Sequence, residues 1–190
     1  MREQEETTEF GRYFLAIPVP PEIRAAIAST RESLKDNERF RWVPAHNLHI
    51  TLHFFGRAEH QIQSSLKKTL PKHIRIPSFP ISVGRLGAFP SAERARVLWL
   101  RVEEGEDRLI ELAQSIRIAL AIEGFPTPER EFKPHITLAR VRRPLDIRSV
   151  LKDHDVRPHG FHIERFGLYE SHIGTGPARY EKCVDFPLTK

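Results

Sequence analysis

Histidine and threonine stand two positions apart twice in this chain, in His49-Ile50-Thr51-Leu52 and again in His135-Ile136-Thr137-Leu138. A strand sends alternate side chains to opposite faces, so each copy would show His and Thr on one face and two branched aliphatics on the other. A free imidazole titrates at about pH 6.5, so one histidine can accept a proton while the other, protonated, donates one. Placed on opposite sides of a phosphate, the two form a base and an acid for in-line displacement at phosphorus. The threonine hydroxyls can then donate hydrogen bonds to the non-bridging oxygens as charge builds there. Such chemistry needs no cofactor.

Two plainer readings compete. Each histidine alone suits a structural polar residue on a half-buried strand, an explanation that weakens once the same His-x-Thr face occurs twice. A metal site is the second. His49 and His53 are four apart and would converge on a helix, but on a strand they stand about 13 Å apart. The β-branched Ile50 and Thr51 and the alternation through Leu48, Ile50, Leu52 and Phe54 favour the strand. No acidic residue lies among Ile50, Thr51 and Leu52, as a His-Glu-x-x-His site would require, so no metal is expected.

Other residues are candidates for substrate contact. Trp42 could stack a base or pack into the core. Arg140 could neutralise phosphate, although strict alternation puts it on the face opposite His135 unless the strand bends. Arg12, His53, Tyr169 and Tyr180 are further candidates. The stretch Arg94 to Arg101 interleaves basic residues with Val97, Leu98, Trp99 and Leu100 and reads as a strand with a solvated face rather than an RNA rail.

The elements that must position these groups follow from periodicity. Strands are expected over Arg12 to Ile17, Asn47 to Phe55 ending at Gly56, Phe79 to Phe89, and Ala95 to Val102. Three more are expected over Phe132 to Val141, Phe161 to Ser171, and Arg179 to Phe186. Helices are expected through Ile23, Ala26, Ile27 and Leu34 with Pro21 in the first turn, over Glu59 to Leu70 stopped by Pro71, over Asp107 to Ile122, and over Asp146 to Leu151. Phe14 precedes His49 by nearly the interval at which Trp99 precedes His135. Each half therefore reads strand, helix, motif strand, helix, strand. Such a duplication predicts two lobes related by approximate two-fold symmetry, with both motifs facing one central cleft.

Composition sets the outer limits. The chain has 190 residues, 39% hydrophobic and 29% charged, enough for one compact unit, and no apolar run approaches the roughly 20 residues of a membrane helix. The expected organisation is a flexible polar tail over 1–9, without the apolar segment of a secretion signal, and a single bilobal domain over 10–190. Thirty Lys and Arg against 25 Asp and Glu give a formal charge of +5, which suits an anionic partner such as a nucleotide or RNA. Cys183 is the only cysteine, so no internal disulfide forms and a reducing, cytoplasmic setting is expected, with Cys183 packing rather than attacking.

These residues resemble the two-histidine phosphoesterase superfamily, defined by paired His-x-Thr-x motifs, and within it the RNA 2′,3′-cyclic phosphodiesterases, historically called 2′-5′ RNA ligases. The resemblance runs through Arg12-Tyr13-Phe14-Leu15-Ala16-Ile17-Pro18, Trp42, and Asn47 to Gly56. It continues through Gly87-Ala88-Phe89-Pro90, Arg96-Val97-Leu98-Trp99, Phe132 to Arg140, and Leu168-Tyr169-Glu170-Ser171. It implies an α+β bilobal fold of two mainly antiparallel sheets with helices outside. It also implies hydrolysis of a terminal 2′,3′-cyclic phosphate to a 2′-phosphomonoester, with His49 as proton donor to the 3′ oxygen and His135 as acceptor from water. Thr51 and Thr137 would hold the phosphate. The donor assignment rests on the resemblance alone, since the sequence is symmetric between the two histidines. The reverse reaction, joining ends through a 2′-5′ bond, would use the same groups with roles exchanged. The expected partner is RNA ending in a cyclic phosphate, or a cyclic nucleotide, bound by a monomer away from any membrane. A non-catalytic module for RNA ends, and a phosphodiesterase of small cyclic nucleotides, are the alternatives.

Overall fold

The computed structural model describes residues 9–34, 39–127, 131–154 and 156–190, so of the expected tail only Glu9 falls within it. Strand β1 (Phe10–Pro18) is followed by α1 (Pro21–Ser33), the short β2 (Phe40–Trp42), and the first motif strand β3 (His49–Glu59). Then come α2 (Ile62–His73), β4 (Phe79–Phe89), β5 (Ala95–Glu104) and α3 (Glu106–Ile122). The second motif strand β6 (His135–Leu145), α4 (Arg148–Asp153), β7 (His159–Ile163), β8 (Arg165–His172) and β9 (Arg179–Pro187) complete the chain.

The strands form a curled sheet in the order β7-β4-β5-β6-β3-β1-β8-β9, antiparallel throughout, with β2 added to β6. Its middle is thin, because β3 and β6 share one pair, Ile50 opposite Ile136. The architecture is therefore two antiparallel sheets, β7-β4-β5-β6 with β2 and β3-β1-β8-β9, hinged at the motif strands, an α+β arrangement with few helices. The run from Tyr13 to Ile17 is buried without interruption, as a central strand covered on both faces requires. Helix α3 buries Leu109, Leu112, Ala113, Ile116, Ala119 and Leu120, one face at helical spacing, and packs against α2 and β3. Among the described residues no helix is long and apolar enough to cross a membrane.

Several elements depart from expectation. The lobes are not the sequence halves: β4, third strand of the first half, pairs with β5, and β8, third strand of the second, pairs with β1. The run expected as one strand over Phe161 to Ser171 breaks at Glu164. Its first part, β7, pairs with β4 and its second, β8, with β1, so one residue carries the chain between lobes. Strand β3 passes Gly56, whose positive φ of 72° a glycine accepts, because β1 supplies partners as far as Phe10 opposite Glu59. Helix α2 consequently starts at Ile62 and runs through Pro71 rather than stopping there. The missing N–H costs one bond near the helix end, while Ile62, Leu66 and Leu70 stay buried and Ile74 N–H still reaches the Leu70 carbonyl at 3.0 Å. Strand β6 extends to Leu145, which pairs with Ala95, and β2, too short to register as periodic, pairs with it from Phe40 to Trp42.

Candidate active site

The Ile50–Ile136 bridge sets the geometry. Both isoleucines are fully buried, so their neighbours along each strand point the other way, into the cleft. With the strands antiparallel, the positions flanking the bridge bring His49 opposite Thr137 and Thr51 opposite His135. Each histidine thus faces the other motif's threonine, and four polar side chains, all half-buried, form a quadrilateral about a local two-fold axis. Thr51 and His135 line one cleft of about 690 Å³ together with Phe54, Phe89, Phe132 and Lys133.

The two imidazoles are held alike. His49 Nδ1 lies 2.6 Å from the Asn47 carbonyl, and His135 Nδ1 lies 2.6 Å from the Lys133 carbonyl, in each case two residues back. A carbonyl only accepts, so both Nδ1 atoms carry the proton and both neutral rings present an Nε2 lone pair. Thr51 Oγ1 donates to His49 Nε2 at 2.9 Å. Burial pushes both pKa values below that of free imidazole. At His49 the bond to Asn47 opposes this, and the charges of His135 and Arg140 add to the depression. At His135 the bond to Lys133 opposes burial and Arg140 adds to it. Arg140 is therefore within electrostatic reach of both histidines.

A β-bulge explains how Arg140 arrives there. In β6, Leu98 pairs with Ala139 but Trp99 pairs with Thr137, leaving Leu138 as an extra residue. Leu138 and Ala139 are both buried, the alternation resets, and Arg140 is exposed on the side of His135 and Thr137. In β3 the same shift occurs at Leu52: Leu15 pairs with His53, Ala16 with Thr51, and Phe54 becomes the exposed equivalent of Arg140. The guanidinium of Arg12 lies over the Phe54 ring, 5.7 Å from its centroid.

Not every candidate joins the site. Trp42, paired with Ala139, packs against the core and Phe40, with the Arg31 guanidinium 5.7 Å over its ring. His53 is buried on the face opposite His49, with its ring 4.5 Å from Phe55, so the two cannot share an ion. Tyr180 meets the His49 ring edge-on at 5.4 Å, and Tyr169 stacks on Phe14 at 5.6 Å. Cys183 packs against the core and burial raises its thiol pKa, as suits a packing residue.

Sequence reasoning missed the aromatic walls. Phe14 lies 5.1 Å from the His49 ring, while Phe89 and Trp99, stacked on each other at 4.8 Å, lie 5.0 and 5.8 Å from His135. The signal was present, since Phe14 and Trp99 mark equivalent strands of the repeat. Only the pairing of those strands with the motif strands makes them walls.

A family model described as the 2′-5′ RNA ligase superfamily matches residues 19–175. An RNA 2′,3′-cyclic phosphodiesterase of Thermotoga maritima is 35% identical over 170 residues, covering 87% of this chain and 90% of the relative. The enzyme of that name from Escherichia coli is 33% identical over 187 residues, covering 96% and 99%. The crystal structure of E. coli LigT in apo form superposes with a TM-score of 0.78 at 31% identity, covering 96% of this chain and 99% of that one. With a hinged pair of antiparallel sheets, two His-x-Thr motifs joined at one bridge, and relatives matching over nearly the whole length, the chain belongs to the 2′-5′ RNA ligase superfamily of two-histidine phosphoesterases.

Proposed function

We propose that the protein is an RNA 2′,3′-cyclic phosphodiesterase that opens the cyclic phosphate to a 2′-phosphomonoester. The observation that carries this reading is the quadrilateral of His49, Thr51, His135 and Thr137 about the Ile50–Ile136 bridge. A phosphate seated at its centre has an imidazole Nε2 on either side and a hydroxyl beside each. His135 Nε2 takes a proton from water, the water oxygen attacks phosphorus, and the P–O3′ bond breaks. The 3′ oxygen leaves with the proton that His49 Nε2 carried. Thr51, Thr137 and the Arg140 guanidinium hold the non-bridging oxygens and stabilise the charge gathering on them. Relatives at about one-third identity bear this activity in their names, and E. coli LigT, one of the structural neighbours, has been solved with 3′-AMP and with phosphate. The same groups with roles exchanged would support the reverse 2′-5′ joining. The working form in this reading is a cytoplasmic monomer.

The test is direct. Wild type with chelator present should convert an RNA ending in a 2′,3′-cyclic phosphate to the 2′-phosphate isomer. His49→Ala and His135→Ala should each lose at least about 10²-fold in turnover. Full turnover by His135→Ala, or an untouched cyclic end with wild type, overturns the proposal. Tight binding of the end without turnover would favour a non-catalytic module instead.

A further inference from the structure

Beyond the cleft, the outer edge where β2 meets β6 carries a concentration of arginine that the hydrolytic step does not use. Arg41 pairs directly with Arg140 across the two strands. Two residues further on, Arg39, just before β2, and Arg142, on β6, line a second cavity of about 850 Å³, with Arg143 and Arg41 also in its walls. Val141 between them is buried, so Arg140 and Arg142, two positions or about 7 Å apart, project from the same face. Arg39, Arg41, Arg142 and Arg143 are all exposed, and no carboxylate among the described residues forms an ion pair with any of them. Four guanidinium groups around one cavity, none of them ion-paired to a described carboxylate, repel one another and favour an anionic ligand there.

We infer that this arginine groove is the path of the RNA strand leading to the cyclic end, binding the phosphates upstream of the one cleaved. The inference rests on the proposed function and deepens it. Arg140 belongs to both places: its charge reaches His49 and His135, and its cross-strand neighbour Arg41 opens the groove. A strand whose last phosphate sits between the histidines therefore meets Arg140 and its neighbour Arg41 next, and then the Arg39–Arg142–Arg143 cluster. Guanidinium forks match phosphate oxygens in pairs. Among the described residues no aromatic side chain lines the groove, so it reads backbone charge and not base identity, and base preference would have to arise inside the cleft. The continuity with a phosphate site favours a nucleic acid over an anionic membrane or an acidic protein.

The test compares two substrates, a 2′,3′-cyclic mononucleotide and a single-stranded RNA of about twelve nucleotides ending in the same cyclic phosphate. The variant Arg39→Glu/Arg142→Glu/Arg143→Glu leaves Arg140 and Arg41 in place. It should lose about ten-fold or more in kcat/KM on the oligonucleotide and stay within about two-fold of wild type on the mononucleotide. The slope of log kcat/KM against log salt on the oligonucleotide should flatten by about 2, three contacts at roughly 0.7 each for a single strand. The corresponding triple Lys variant should recover most of the loss. Equal losses on both substrates, or no loss on the oligonucleotide, overturn the groove. If wild type hydrolyses neither substrate, the functional reading fails. The groove is then judged by fluorescence anisotropy of the same RNA with a 3′-phosphate end, where equal affinity of wild type and variant overturns it. Vesicles of phosphatidylcholine and phosphatidylserine that discriminate between the two proteins when RNA does not would overturn it in favour of a membrane.

Discussion

At the scale of single residues, the site is governed by how burial acts on imidazole. Both catalytic candidates are held below the free value by desolvation, and each has an arginine in reach. The free protein therefore protonates them only on the acid side of about pH 6.5. A reaction that needs one ring protonated and one bare should give a bell-shaped kcat/KM profile with its apex below that pH. Bound phosphate, being anionic, favours the imidazolium, so the profile of kcat should lie higher than that of kcat/KM. An apex of kcat/KM above pH 7 would contradict this assignment. His53 shows the same physics without the chemistry. Burial pushes its pKa down to about 4, so between about pH 4 and about pH 6.5 the unfolded chain binds a proton that the folded chain refuses. Stability is complete above that window and falls as the pH drops through it, by about 3 kcal/mol in all. In urea titrations at about pH 7 and about pH 4.5, His53→Phe should narrow the loss that wild type suffers on acidification. An unchanged loss would place the acid sensitivity elsewhere.

At the scale of elements, the bulges carry the information that alternation could not. Two identical four-residue motifs were legible, and so was the strand that each occupies, because His-x-Thr faces and buried Ile and Leu follow a period of two. The position of Arg140 was not, since a strict period sends it to the wrong face. It reaches the cleft only because Leu138 has no partner on β5. The match between Leu138 and Leu52 shows that the duplicated unit includes the bulge as well as the motif. The wall beside His135 depends on a second local feature. Gly87 pairs with Trp99, and a Cβ at Gly87 would stand 2.5 Å from a ring carbon of that indole. Gly87→Ala should therefore shift Trp99 against His135 and lower kcat/KM by about ten-fold or more, with altered tryptophan fluorescence. Gly174→Ala, where a Cβ meets nothing within 4 Å, should leave both unchanged. Wild-type kinetics from Gly87→Ala would mean the wall is not a constraint on the histidine.

At the scale of the whole molecule, the duplication was legible but its folding was not. Matching element orders gave two units, and the simplest expectation was one unit per lobe. The third strands instead trade places, β4 going to β5 and β8 to β1, and the one-residue break at Glu164 that makes this possible has no periodic signature. Long-range pairing of this kind is invisible to windows of a dozen residues. It predicts that a cut in the turn around Pro90 and Ser91 yields two fragments that each lack partners for a central strand. Separately, neither should show a cooperative unfolding transition. Mixed, they should recover the circular dichroism spectrum and hydrolytic activity of the intact chain. A fragment that folds cooperatively by itself would refute the interlocking. The exchange of strands leaves the motif quadrilateral symmetric, whereas the residues just past the two bulges are not: Phe54 stands in one lobe where Arg140 stands in the other. A cyclic phosphate offers two ester oxygens, and a symmetric set of histidines and threonines has no means of telling them apart. Regiochemistry, the choice of which oxygen departs, therefore falls to the groups that differ around that set: an aromatic ring against a fixed positive charge past the bulges, and Phe14 with Tyr180 beside one imidazole against Phe89 with Trp99 beside the other.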